Sequence, residues 1–138
     1  MLDNEENKNQ VDTNHHRFDQ YVSGETLNLS RQYLTDEDMQ DIISFIHQYP
    51  DITKLDLSLN NIGDQGIADF SEKNQTVTNV NFTGNNISDH GVAVFAYKNL
   101  AVKQVNFSYN PISDKGIAHF VEINDMCNSS HFSTMKYH

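Results

Sequence analysis

Apolar and polar residues recur in the same order, at one fixed spacing, through the second half of the chain. The unit is KLDLSLNNIGDQGIADF at 54–70, and it returns as NVNFTGNNISDHGVAVF at 79–95 and QVNFSYNPISDKGIAHF at 104–120. A unit repeated at a period of roughly 20 to 50 residues buries its apolar face against its neighbours. The pattern therefore predicts a solenoid with one continuous core.

Each unit divides into a strand and a helix. Leu55 and Leu57 alternate with polar residues, which is the period of a strand, whereas Ile67 and Phe70 are spaced as on one face of a helix. The repeat predicts parallel strands near 54–58, 79–83 and 104–108 and helices near 64–73, 89–98 and 114–123.

Three polar or small columns of the repeat carry structural predictions. An asparagine falls where the chain leaves each strand, and its amide satisfies backbone groups there, so we predict a hydrogen-bonded ladder. An aspartate begins or caps each helix, and a glycine permits close backbone approach or a positive φ at the turn into it. The columns are Asn60, Asn85 and Asn110, then Asp64, Asp89 and Asp114, then Gly66, Gly91 and Gly116.

The pattern LxLxxNxI followed by DxGIxxF resembles the leucine-rich repeat, and the glycine and the helical second half resemble its ribonuclease-inhibitor-like type. The resemblance implies an α/β fold, a short solenoid of about four and a half repeats. It places a parallel β-sheet on the concave side and α-helices on the convex side. It also implies that the concave side is the usual partner surface.

An irregular first repeat precedes these units, because Leu27 stands slightly more than one period before its counterpart Leu55. Apolar residues then recur at helical spacing after Thr35, which with Asp38 has the form of a capping box. We predict a helix from 36 to 49, where a proline ends it.

The segment before this repeat is polar and acidic, so we predict a disordered tail at 1–23 and a repeat domain at 24–138. Phe18, Tyr21 and Val22 are apolar exceptions. They leave open a second interpretation, in which this segment caps the open edge of the first repeat.

The C-terminal stretch has the form of a degenerate capping repeat. Moving one further period on from Val105 and Phe107 reaches Ser130 and Phe132. The same step predicts that Cys127 is a small inward-facing residue at the start of a last strand.

The formal charge of −10 argues against binding to nucleic acid or to an anionic membrane. The chain has one cysteine, and its start lacks the basic residues and apolar core of a signal peptide. We expect a cytoplasmic protein, or one secreted into a host cell by a route that needs no signal peptide.

No constellation of residues suggests catalysis, a metal or a cofactor. The seven histidines lack metal-ligand spacing, and phosphate loops and nucleophile elbows are absent from the sequence. We predict a protein that is not an enzyme and needs no cofactor. We interpret the Asn-x-Ser/Thr triplets as by-products of composition; they begin at Asn28, Asn74, Asn81, Asn86, Asn106 and Asn128.

The strand register assigns the polar strand residues to the outer, concave face of the sheet. Arginine and tyrosine are over-represented among interface hot spots, which makes Arg31 and Tyr109 the preferred anchors. We interpret the outermost Ser/Thr row as merely solvating the sheet. The candidate partner-binding residues are Arg31, Lys54, Asp56, Leu59, Asn79, Asn81, Gln104, Asn106 and Tyr109.

We hypothesise a non-catalytic module that binds a protein partner through the concave sheet face. Its short, Asn-rich repeats resemble the small leucine-rich-repeat proteins that Legionella delivers into host cells as effectors, which implies translocation. Two alternatives to the effector role stay open. One is a regulator that occludes a partner enzyme, and the other is an internal cytosolic scaffold.

Overall fold

The computed structural model describes the backbone of residues 17–128 and 134–136 and the side chains of residues 17–124. Strands and helices alternate within this part of the chain. The strands are β1 (Val22–Ser23), β2 (Thr26–Asn28), β3 (Lys54–Asp56), β4 (Asn79–Asn81), β5 (Gln104–Asn106) and β6 (Thr134–Lys136). The α-helices are α1 (Met39–Gln48), α2 (Asp64–Lys73), α3 (Asp89–Lys98) and α4 (Asp114–Asn128), and 3₁₀ turns cover Asp19–Tyr21 and Asp36–Asp38.

The described strands form one sheet in chain order. β1 runs antiparallel to β2, and each later pair is parallel. From β3 to β5 the register joins equivalent residues, so that Leu55 pairs with Val80 and Val80 with Val105. The predicted α/β solenoid is confirmed.

The parallel pairing continues past the last residues of β2, β3 and β4. The Leu57 N–H donates to the Asn81 carbonyl at 2.9 Å, and the Leu59 N–H donates to the Thr83 carbonyl at 2.8 Å. The Gly84 N–H donates to the Ser108 carbonyl at 2.9 Å in the next repeat. The chain therefore stays in register through the turn that leaves the sheet.

Phenylalanines fill the layer between the sheet and the helices. Phe82 and Phe107 stack with their ring centroids 5.9 Å apart. The rings of Phe70 and Phe95 meet them edge-on at 5.8 and 5.4 Å. All four rings are fully buried, and each such contact adds about 0.5–1.5 kcal/mol beyond the burial itself.

The asparagine ladder is confirmed. The Asn85 side-chain amide donates to the Leu57 carbonyl at 2.9 Å and to the Phe82 carbonyl at 3.0 Å, and its Oδ1 accepts from the Ile62 N–H at 2.9 Å. Asn110 makes the equivalent bonds one repeat later. Each rung therefore satisfies backbone groups of two successive repeats.

A second ladder joins the N-terminal ends of the helices. The N–H of Ser88, the N-cap of α3, donates to Asp64 Oδ1 at 2.8 Å. The N–H of Ser113 donates to Asp89 Oδ1 at 2.7 Å. Each aspartate begins its own helix, as predicted, and also binds the start of the next one.

This ladder explains the glycine column. A Cβ on Gly66 or Gly91 would overlap the carboxylate of the aspartate one repeat earlier. Neither glycine has a positive φ, whereas Gly24 and Gly84 do. Of the two reasons that the sequence left open, close approach is the one that applies.

Residues 17–23 cover the N-terminal edge of the first repeat. Phe18 is 2% exposed and lies edge-on to Phe45 at 5.6 Å. Arg17 binds Asp38 and Asp41 at 2.8 Å each. This segment therefore closes the core where no earlier repeat does so.

Asp36 is the first aspartate of the helix ladder, since its Oδ1 accepts from the Gly63 N–H at 2.6 Å, but no earlier repeat in the described chain binds the start of its own helical segment. Asp38 stands at the position that Gly66 occupies in the next repeat, and its Oδ2 accepts from the Thr35 N–H at 2.8 Å. Burial alone would raise the pKa of Asp38, but the bond from Thr35 and the Arg17 guanidinium hold that pKa below its ordinary value. The predicted capping box is confirmed, although its first turn, Asp36–Asp38, is 3₁₀.

The predicted register of the C-terminal strand is wrong. Val105 pairs with Met135, whereas the regular period predicts Ser130 as its partner, so β6 begins later along the chain than expected. Cys127, predicted at the start of that strand, lies in α4. The predicted strand residues Ser130 and Phe132 lie outside the described residues.

The length of α4 accounts for this shift. α2 and α3 are followed by the C-cap residues Asn74 and Asn99, whose side chains exchange hydrogen bonds with the backbone of Val77 and Val102. The third member of the column, Asn124, lies inside α4 instead. At 127 a cysteine replaces the β-branched valine that favours extended backbone, and the helix continues to Asn128.

Candidate functional site

The concave rows follow the predicted register from β2 to β5. Equivalent residues pair across these strands, as Lys54 does with Asn79 and Asn79 with Gln104. In β6 the rows end in Thr134 and Lys136, because of the longer α4.

The second row has a structural task that the sequence analysis missed. Asn81 Oδ1 accepts from the N–H of Thr83 at 2.9 Å, and Asn106 binds the Ser108 N–H in the same way. Asp56 accepts from the Ser58 N–H at 2.9 Å. These are Asx turns that shape the exit from each strand.

The same bonds correct the interpretation of the Asn-x-Ser/Thr triplets. Those at Asn28, Asn81 and Asn106 are rungs of this Asx-turn row rather than by-products of composition. The sequence contained the evidence for this role, because Asn81 and Asn106 stand one repeat apart and Asp56 occupies the equivalent position one repeat before Asn81.

The third row does not form an open surface. Ser58 and Ser108 are buried, and Thr83 is half-buried. The prediction that this Ser/Thr row solvates the sheet is therefore wrong. Exposed polar surface is concentrated in the first row, where Lys54 and Gln104 face solvent and Asn79 Nδ2 donates to Gln104 Oε1 at 2.8 Å.

The residues that follow the third row share one unusual backbone conformation. Arg31, Leu59, Gly84 and Tyr109 have φ values of 57, 58, 69 and 60°. We call these four residues the left-handed column. For a residue other than glycine this conformation costs roughly 1–2 kcal/mol, so three of the four positions are strained.

The left-handed column carries much of the exposed apolar surface near the sheet. Leu59 is 45% exposed and Tyr109 is 73% exposed. Leu59 leans over its glycine neighbour, because a Cβ on Gly84 would lie 2.7 Å from Leu59 Cδ2. The two predicted residues thus flank a glycine and form an apolar ledge at the rim of the concave face.

Neither a metal-binding cluster nor a membrane-spanning helix occurs in the described part of the chain. No group of three or more His, Cys, Asp and Glu side chains there has the geometry to hold a metal ion. Within the same residues, no helix combines the length and apolar character that crossing a bilayer requires.

Comparison with known families matches the chain to the family described as "Leucine Rich repeat" over residues 50–71, 73–96 and 98–120. These segments span half of the chain, which belongs to the leucine-rich repeat family. A comparison with curated proteins finds no significant match.

Among solved structures, the chain is similar to "Leiomodin-1 Actin-Binding Site 2 (ABS2)", with a TM-score of 0.69. The two sequences are 14% identical, and the alignment covers 92% of this chain and 78% of that one. At this identity the likeness concerns the fold. The family match is what supports a protein-interaction module.

Proposed function

We propose that this chain is a non-catalytic interaction module that binds a protein partner through the concave face of its sheet. The left-handed column forms the centre of the contact, with Leu59 and Tyr109 as apolar anchors. Lys54 and Gln104 extend the surface along the first row.

One observation carries this proposal. Three large side chains occupy backbone positions where glycine costs least, as Gly84 illustrates in the same column. Strained residues persist where a function needs them. The tyrosine at 109 keeps most of its surface exposed in this strained conformation, where a partner can contact it.

The size of the surface favours a binding module over an inhibitor that wraps an enzyme. The parallel part of the described sheet runs from β2 to β6, which at about 4.8 Å per step spans roughly 20 Å. Such a surface matches one side of a standard interface, about 800 Å². Loss of a partner's activity on binding would support the inhibitor alternative, and retention would support a scaffold.

Affinity capture with variants tests the proposal. Wild-type protein is compared with a concave variant, Leu59→Asn with Tyr109→Asn, and with a convex variant, Lys73→Ala with Lys98→Ala. The partner should be captured by the wild type and the convex variant and lost from the concave one. Actin belongs among the candidates tested, because the similar structure is an actin-binding site. Capture that depends on the convex pair alone would refute the concave assignment.

Translocation into a host cell is a separate proposal that rests on the Legionella resemblance. A reporter fused to the full chain, compared with a fusion that lacks the C-terminal stretch from Ser129 onward, tests it. Transfer of the full-length fusion alone supports an effector, and no transfer of either leaves the cytosolic scaffold as the better account.

A further inference from the structure

The loop at 31–33 presents two large side chains on either side of a fixed residue. Arg31 and Tyr33 both have a φ of 57°, and both are exposed. Tyr33 is 94% exposed, and the sequence analysis did not single it out. Gln32 lies between them.

Gln32 is held from three directions. Its N–H donates to Asn60 Oδ1 at 3.0 Å, and its side-chain amide donates to the Ser30 carbonyl at 3.2 Å. Its Oε1 accepts from the hydroxyl of Tyr21, in the N-terminal segment, at 2.9 Å. The loop is therefore fixed with both neighbours projecting from it.

The strain at Tyr33 is not a requirement of the repeat. Arg31 shares its conformation with the left-handed column, but the residues equivalent to Tyr33 are Asn61, Asn86 and Pro111, and none of them has a positive φ. An exposed tyrosine in this conformation weakens the fold and fills no gap in the core. A contact between the Tyr33 side chain and another molecule would account for both its exposure and its strained backbone.

The charge of Arg31 is also left without a counterion inside the described structure. Arg17 binds two carboxylates at 2.8 Å, whereas Arg31 makes no ion pair with any described residue. The chain has 19 acidic residues against nine basic ones, so acidic groups are plentiful. A partner carboxylate fits the exposed guanidinium, which binds carboxylates in a two-point fork.

A polar groove of about 320 Å³ lies beside this loop. Alternate residues of the first repeat, Asn28, Ser30 and Gln32, line it together with residues 20–23 of the N-terminal segment. The Gln32 amide in this lining is already engaged within the fold, and the remaining polar groups of the lining suit the backbone of an extended chain.

We propose that the loop at 31–33 and this groove bind an extended protein segment that carries one carboxylate beside an apolar residue. The carboxylate pairs with Arg31, and the apolar residue packs on Tyr33. A single carboxylate is specified because a strongly acidic segment would be repelled by the charge of −10. This inference rests on the proposed function and names the chemistry of the partner.

Phage-displayed random dodecapeptides, selected on the full chain, test the proposal. Selected peptides should carry one Asp or Glu next to an apolar residue. A synthetic peptide with that Glu should bind about tenfold more tightly than its Gln counterpart, and Arg31→Gln should abolish the difference. Tyr33→Ala should remove the apolar preference. Tyr21→Phe, which removes one of the three bonds that hold Gln32, should weaken binding without altering either preference.

Three outcomes would overturn the inference. They are enrichment of basic peptides, acidic enrichment that survives Arg31→Gln, and no enrichment at all. The proposed function is judged separately, because a natural partner lost from the Leu59 and Tyr109 variant supports concave binding whatever the peptide selection shows.

Discussion

The Asp64 carboxylate accepts a hydrogen bond from the Ser88 N–H at 2.8 Å, across the boundary between two repeats. It also occupies the space that a side chain at Gly91 would need. Asp64 at the start of α2 therefore contacts both the N-cap of α3, Ser88, and the glycine in the first turn of α3, Gly91. The same contact recurs between Asp89 and Ser113.

Asp64→Ala should lower the free energy of unfolding by about 1–3 kcal/mol, because it leaves the start of α3 without its acceptor. Urea unfolding measures the change. Asp114→Ala is the matched control, since this carboxylate accepts no hydrogen bond from any described residue and should cost less than about 0.5 kcal/mol. Equal losses in the two variants would mean that the ladder contributes nothing.

Asn85→Ala should destabilise the whole domain, because it strands backbone groups of Leu57, Phe82 and Ile62 at about 1–3 kcal/mol each. Its neighbour Asn86, whose side chain is exposed, provides the control. A thermal melt should separate Asn85→Ala clearly from Asn86→Ala, and indistinguishable melting temperatures would show that the rung is dispensable.

Acidification should weaken the helix ladder. Hydrogen bonds from the Ser113 hydroxyl and N–H hold the pKa of Asp89 below its ordinary value of 3.8. A carboxyl whose pKa is lower in the folded state stabilises that state at neutral pH, and the contribution disappears as the pH falls from 3.8 through the folded pKa. The difference in melting temperature between wild type and Asp89→Asn should therefore shrink in that range, and a constant difference down to about pH 2 would contradict this.

Two substitutions in the left-handed column should change the melting temperature differently. Tyr109→Asn should leave the melting temperature unchanged or raise it, because asparagine tolerates a positive φ better than tyrosine does. Gly84→Ala should lower the melting temperature, since the new Cβ would meet Leu59 and alanine would have to adopt a positive φ. A clear loss of stability in Tyr109→Asn would show that the tyrosine serves the fold.

Much of the architecture was predictable because the fixed period of the repeat carries the strand register, the asparagine ladder and the helix starts together. The register of β6 was not, because it depends on where α4 ends and the helix runs past Asn124. A period fixes equivalent positions only while each repeat keeps its length.

The candidate surface was predictable in position and less so in role. Asp56 was chosen as an exposed charge, but its Oδ1 caps the turn at Ser58, so Asp56→Ala would disturb fold and surface together. Tyr33 was missed because nothing in its sequence context signals a positive φ. The strained positions are recognised by their backbone conformation, which the residue types alone do not reveal.

The central claim is that the left-handed column exists for binding, and the affinity of purified variants for the captured partner tests it most directly. Tyr109→Asn should weaken binding by about thirtyfold, the effect of losing a hot-spot aromatic worth about 2 kcal/mol, with its melting temperature preserved. The Lys73→Ala and Lys98→Ala pair on the convex helices should bind as wild type does. Unchanged affinity in Tyr109→Asn, or a loss confined to the convex pair, would contradict the account.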